Sequence, residues 1–232
     1  MTAVADCRTE APGVLLVQND VQKGMEAEFN RWYQQQHLAE RLAIDGFRVA
    51  RRYQALGARP AYMAIYECSS IEVLRSDAYR ERLDAPSAWT RKVMPAFRST
   101  LRSACRETWS LGEGAGGTAV VVQCKPVGGR EREARHFIAE RLGPRLMATD
   151  CLVRMALWEA DDTVSGDSGA EAALRGARDS RVHWVLFIES YDLAQLAPAL
   201  HRQWLNGEGA ENGLLIGSWA RYQLMCRRCA SS

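Results

Sequence analysis

Nothing in the 232 residues is long and apolar enough to span a bilayer as a helix: the densest apolar runs, AVVV at 119–122 and WVLFI at 184–188, are strand-sized, far short of the roughly 18 residues a span needs. The opening MTAVADCRTEAPG has neither the basic nor the apolar part of a secretory leader, so no export and no membrane partner are predicted. Blocks of like charge are also missing. Lys+Arg 30 against Asp+Glu 28 leaves a net charge of +2, with arginines interspersed among acids, so no nucleic acid partner is predicted either. The seven cysteines, at 7, 68, 105, 124, 151, 226 and 229, are odd in number and lack framework spacing, as expected of reduced thiols in a cytoplasmic protein. Cys226 and Cys229 form the one close pair. With no second pair and no histidines nearby, they read as a solvated tail and not as a zinc or redox site. The four histidines are dispersed, and no phosphate-binding glycine loop, GxSxG elbow or paired-acid motif is present, so no cofactor and no metal are predicted. What remains is an ordinary globular composition, 47% hydrophobic and 25% charged, long enough for one large domain or two small ones.

An internal repeat decides between these. Sliding the chain so that Val14 falls on Ala119 also places VLLVQ on AVVVQ, Gly24 on Gly129, Glu26 on Glu131, Asp45 on Asp150, Phe47 on Leu152 and Tyr53 on Trp158. A larger offset then places YMAIYE (62–67) on WVLFIE (184–189) and Ile71 and Leu74 on Leu193 and Leu196. The difference is an insertion in the second copy within 159–180, a polar, Gly/Ser-rich stretch that reads as a long mobile loop with room for a short Ala-rich helix.

Each copy runs strand, helix, strand, strand, helix, strand. The apolar β-branched runs at the start read as buried strands. The stretch after Gly24 has Met25, Phe29, Trp32, Tyr33 and Gln36 at helical spacing. Ser69 and Glu72 have the spacing of a capping box for the second helix. The last strands are placed at 101–111 and 215–225. The predicted fold class is therefore α+β: tandem ferredoxin-like βαββαβ repeats, 13–111 and 118–226, joined by a Gly-rich linker at 112–117. A four-stranded sheet with both helices on one face leaves its other face bare. Two such repeats cover each other, making an intrachain pseudo-dimeric α+β barrel.

The segment FNRWYQQQH (29–37), followed by Asp45, Gly46, Phe47 and by Arg51, Arg52, Tyr53, resembles the EthD-like members of the dimeric α+β barrel superfamily. Those members carry an aromatic pair with a histidine four residues on in the first helix, then a Gly-Phe turn into an arginine-bearing strand. A proline commonly precedes their Gly-Phe pair; here it is Asp45. The resemblance implies a small-molecule substrate and any of several chemistries, since the superfamily includes cofactor-free monooxygenases, polyketide cyclases, lactone isomerases and heme enzymes. Homo-oligomer formation by the fused barrel is compatible with it.

The residues themselves narrow the site to repeat 1. On an ideal helix Phe29, Tyr33 and His37 drift from the core face to its edge, which predicts a partly exposed His37 able to act as acid and base near neutral pH, with Tyr33 as its hydrogen-bond partner. In the second copy Phe29, Trp32, Tyr33 and His37 become Ala134, Phe137, Ile138 and Leu142, and Arg51 and Arg52 become Ala156 and Leu157. One half keeps reactive residues and the other keeps packing residues. Strand alternation puts Phe47, Val49, Arg51 and Tyr53 on one face and Arg48, Ala50, Arg52 and Gln54 on the other. At least one arginine is therefore inward and needs a partner, either Glu67 or an anionic substrate. Trp32, Arg51, Arg52, Tyr66 and Trp89 are the predicted substrate-binding residues, with Tyr62, Met94 and Phe97 as further pocket candidates and 86–95 as a lid or wall. The expected function is cofactor-independent acid-base chemistry of lyase, isomerase or cyclase type on an aromatic or polyketide-like, anionic substrate. A cofactor-free or heme-dependent monooxygenase and a non-catalytic binding protein are the alternatives.

Overall fold

Both halves pair their strands internally and then with each other. In the computed structural model, which describes residues 11–165, 169–205 and 207–231, the first half comprises β1 (Gly13–Val21), α1 (Glu26–Trp32), a π-helical turn (Tyr33–His37), α2 (Leu38–Leu42), β2 (Phe47–Ala55), β3 (Tyr62–Cys68), a 3-10 turn (Ile71–Arg75), α3 (Asp77–Asp84), α4 (Ala88–Val93), a second 3-10 turn (Met94–Ala96) and β4 (Phe97–Gly112). The second half follows with β5 (Thr118–Pro126), α5 (Glu131–Phe137), a π-helical turn (Ile138–Leu142), α6 (Gly143–Met147), β6 (Leu152–Ala160), α7 (Ala170–Leu174), β7 (Trp184–Ser190), α8 (Leu193–Leu205), α9 (Glu208–Glu211) and β8 (Leu214–Cys229).

The strands form one closed antiparallel barrel in the order β1-β3-β2-β8-β5-β7-β6-β4. Closure rests on the two longest strands. β4 pairs with β1 along its first part and with β6 along its last, from Cys105 to Gly112. β8 does the same with β5 and then β2. Among the described residues, no strand edge of the barrel is left to template aggregation. Cys226 and Cys229 lie in this closure, opposite Arg52 and Val49, so they belong to a barrel strand and not to the expected solvated tail. The expected capping box at Ser69 and Glu72 is also replaced: the chain first makes a 3-10 turn, and Ser76 caps α3 by accepting from the Tyr79 N–H at 3.2 Å. Cys7 lies outside the described residues.

Three apolar layers result. Inside the barrel, Leu16, Tyr53, Ile65, Val121, Trp158, Phe187 and Tyr222 from both halves pack together, with the Trp158 and Phe187 rings stacked at 4.5 Å. Outside, each sheet carries its own helices over a separate core. A bulge between Phe47 and Val49 breaks strict alternation. Phe47 therefore joins Ala50 under the helices, while Tyr53 faces the barrel interior, against the simple expectation that Phe47 and Tyr53 share a face. Gly46 makes the preceding turn at φ +88, where a Cβ would run into the Val73 side chain, so the turn needs glycine for both conformation and space.

Candidate functional site

α1 does not continue as an ideal helix past Trp32. A π turn intervenes, closed by the Leu38 N–H donating to the Tyr33 carbonyl five residues back. Such a turn sets residue i+5 over residue i, and His37 stacks on Trp32, ring centroids 4.2 Å apart, with Tyr33 edge-on at 5.1 Å. The same turn occurs at the equivalent place in the second half, with the Gly143 N–H donating to Ile138, so it belongs to the fold; what differs is the residues it carries. His37 is 5% exposed. The expectation of a partly exposed residue at the helix edge fails because 100° per residue does not hold across this turn.

Beside the imidazole lies a cavity of about 30 Å³ between the helices of the first half and the outer face of its sheet. Tyr33, His37, Arg41, Tyr66, Tyr79 and Arg102 line it with Leu15, Val17, Met94 and Phe97, and the second half adds Glu171 and Arg175. Such a space holds one or two waters, not an aromatic ring. His37 Nδ1, Arg41 Nη1 and Tyr66 Oη are buried there without a hydrogen-bond partner of good geometry. Buried polar atoms are normally paired, and three orphans around one cavity mark a place built for something else.

The electrostatics are cationic. Arg41, 2% exposed, donates through Nη2 to both carboxylate oxygens of Glu171, which is 4% exposed. Arg102 donates to the Tyr79 hydroxyl at 2.8 Å. Arg175 is neutralised by Asp179 at 2.9 Å. Behind Tyr33, the Arg52 guanidinium lies 4.1 Å from that ring's centroid and donates to Asn30 at 2.9 Å. Burial, and after it Arg41, Arg52 and Arg175, holds His37 well below the usual imidazole range. His37 is therefore a neutral imidazole at physiological pH, not the group titrating near neutrality that an exposed helix edge implies. Burial pushes the Tyr66 and Tyr33 hydroxyls up, so both stay protonated as donors.

Of the sequence candidates, His37, Tyr33 and Tyr66 meet at the cavity, and Trp32 backs His37 while its Nε1 donates to Thr90 at 3.2 Å. Arg52 lies behind the Tyr33 ring and does not line the cavity. Arg51 points into the barrel instead, bonded to Glu67 and, at 2.6 Å, to Glu189, and so takes no part in this cavity. Trp89 is only half-buried and donates to Glu28 at 3.0 Å; of the segment 86–95, expected as a lid or wall, Met94 lines the cavity, as does the further candidate Phe97, while α4 contributes only its Thr90 bond. Arg41, Arg102, Tyr79 and Glu171 were missed. The internal comparison that singled out His37 carried a signal for two further positions, since Arg41 corresponds to Leu146 and Tyr66 to Ile188. Those partners, with Leu142 and Ile138, fill the equivalent space of the second half.

A heme needs a site of hundreds of cubic ångströms and an axial donor facing it. With Glu171 in place the His37 cavity is an order of magnitude too small for that group, and His136, His183 and His201 are exposed and line no part of it.

No family model matches the chain, and no curated protein matches it. Solved structures do. An anthrone oxidase-like protein is 9% identical with a TM-score of 0.66, covering 97% of this chain and 95% of its own. A candidate monooxygenase from Lactobacillus acidophilus is 9% identical at 0.58, covering 96% and 97%. A heme-binding protein from Thermus thermophilus is 12% identical at 0.55, covering 94% and 92%. At such identities the likeness speaks for architecture alone, and with the closed eight-stranded barrel it shows that the whole chain has the fold of a dimeric α+β barrel within a single polypeptide.

Proposed function

We propose that the repeat 1 cavity is the active site of a cofactor-independent enzyme that moves a proton on an aromatic or polyketide-like substrate. The observation that carries this is buried His37, neutral and with its Nδ1 unpartnered, lining a space ringed by arginines. In this reading His37 Nδ1 takes a proton from an acidic C–H or O–H. The electron pair left behind delocalises as an enolate or phenolate, and its oxygen accepts hydrogen bonds from Tyr33 and Tyr66. Return of the proton at another atom gives an isomerised or cyclised product. The aromatic and histidine pattern at 32–37 and the Gly46, Phe47 turn support the EthD-like branch of the superfamily.

The names of two structural neighbours favour one variant of the same chemistry, oxygenation of the carbanion by dioxygen. The substrate supplies the electrons, one oxygen atom ends as a carbonyl and the other leaves as water. Both variants share the first step. In a turnover screen of anthrones, phenols and β-dicarbonyl compounds, His37→Gln lowers kcat by about 100-fold or more, and Tyr33→Phe by less. Full activity in His37→Gln on a turned-over substrate would sink the assignment.

A further inference from the structure

Arg41 and Glu171 come from different halves of the chain. Glu171 sits on α7, in the insertion that the first half lacks. Among the described residues its carboxylate is the cavity's only acid, whereas Arg41 and Arg102 both line the space and Arg175 is already matched by Asp179. The guanidinium of Arg41 is half used: Nη2 holds Glu171 and Nη1 has no partner although it is buried. A guanidinium fork of this kind is shaped to take a carboxylate through two donors.

The segment that delivers Glu171 is tied down at its two ends. At one, the Ala104 N–H donates to Ser165 Oγ at 2.9 Å and Arg106 meets Asp161 at 3.1 Å. At the other, Ser180 and β4 exchange backbone bonds, Arg102 N to Ser180 O and Ser180 N to Thr100 O, both at 2.9 Å. Between them α7 has five residues, with Glu171 reaching inward and the Ala170 N–H meeting Asp84 at 3.2 Å. The Ser180 end bridges to β4 and the other end is pinned by side chains, while α7 itself is held by Glu171 on Arg41, by the Asp84 bond and by Leu174 packed on the repeat 1 core.

From this we infer that the cavity is a carboxylate-binding site whose resting occupant is the protein's own Glu171, and that a small aromatic carboxylate displaces Glu171 from Arg41 and moves α7 outward. The inference rests on the proposed active site and assigns its substrate class. It also accounts for the small cavity, because the room for a ring is the room that Glu171 and α7 vacate.

Benzoate is the probe and benzamide its uncharged isostere. Removing the internal carboxylate by Glu171→Gln leaves Arg41 buried without a counter-charge, so this variant melts below the wild type and binds benzoate at least tenfold more tightly by calorimetry, while benzamide binds neither protein. On the wild type, needing no variant, saturating benzoate speeds hydrogen exchange at 170–174. The inference falls if Glu171→Gln binds benzoate no better than the wild type, if benzamide binds equally well, or if exchange at 170–174 is unchanged or slowed. None of these readouts uses turnover. Benzoate binding that survives in an inactive His37→Gln separates the site's ligand class from its acid-base chemistry, and an active His37 with no benzoate response overturns the ligand class alone.

Discussion

At the scale of single residues, His37 shows how burial changes what a sequence symbol means. On an exposed helix edge a histidine titrates near 6.5; here burial and three arginines keep it neutral well below that. The sign of the consequence follows from proton linkage. Below pH 6.5 the unfolded chain protonates this imidazole and the folded one does not, so the stability the neutral form contributes is complete above pH 6.5 and is lost as pH falls toward the depressed folded value. We expect wild-type unfolding free energy to fall with a slope of up to about 1.4 kcal/mol per pH unit below pH 6.5 from this group. His37→Gln should remove that component, as read from urea titrations at a series of pH values. Equal slopes in both proteins would place the imidazole in water.

At the scale of elements, the region between β3 and α3 separates two readings of one sequence. Ser69 and Glu72 have capping-box spacing, but Ile71 is fully buried beside β1. That anchor draws 71–75 into a tight 3-10 turn and delays the α-helix until Ser76. Ser76→Ala should therefore cost about 1 kcal/mol, the usual worth of an N-cap, whereas Ser69→Ala should stay within about 0.5 kcal/mol, both read from chemical unfolding; the reverse order would restore the box. The π turns make a related point. Hydrophobic spacing marks a helix over 26–42, but the inserted turn has no composition of its own, since YQQQH and IAERL both adopt it. It follows from fitting the helix to the sheet beneath.

At the scale of the whole molecule, the two halves are joined inside the barrel by charge as well as by apolar packing. Arg51 lies between Glu67 of its own half and Glu189 of the other, and Glu189 also accepts from the Gly116 N–H at 3.2 Å. Arg154 meets Glu107 at 2.5 Å near the same end. Breaking such a cluster from one side is costly, because the remaining charge stays buried. Arg51→Met should destabilise the chain by about 3–5 kcal/mol, and adding Glu189→Gln should recover part of the loss in a double-mutant cycle. A loss below about 1 kcal/mol in the single variant would mean that water reaches Glu189 in solution. Of the two partners expected for an inward arginine, Glu67 or a substrate anion, Arg51 takes Glu67 and adds Glu189 of the other repeat, while its neighbour Arg52 faces the helices.

The order of elements and their pairing into two related units follow from local pattern, because strand and helix periods and a repeat offset are properties of neighbouring residues. His37 and Tyr33 are legible for a similar reason: two copies under one fold expose the positions where one departs from packing, and the same comparison at Tyr66, against Ile188, carries that signal too. What only the tertiary structure decided is the company those residues keep. The π turn that lays His37 on Trp32, the bulge that turns Phe47 under the helices and the arrival of Glu171 at Arg41 from 130 positions away depend on how distant segments meet. Burial then sets their charge, and neither the meeting nor the burial is written in any local stretch of the chain.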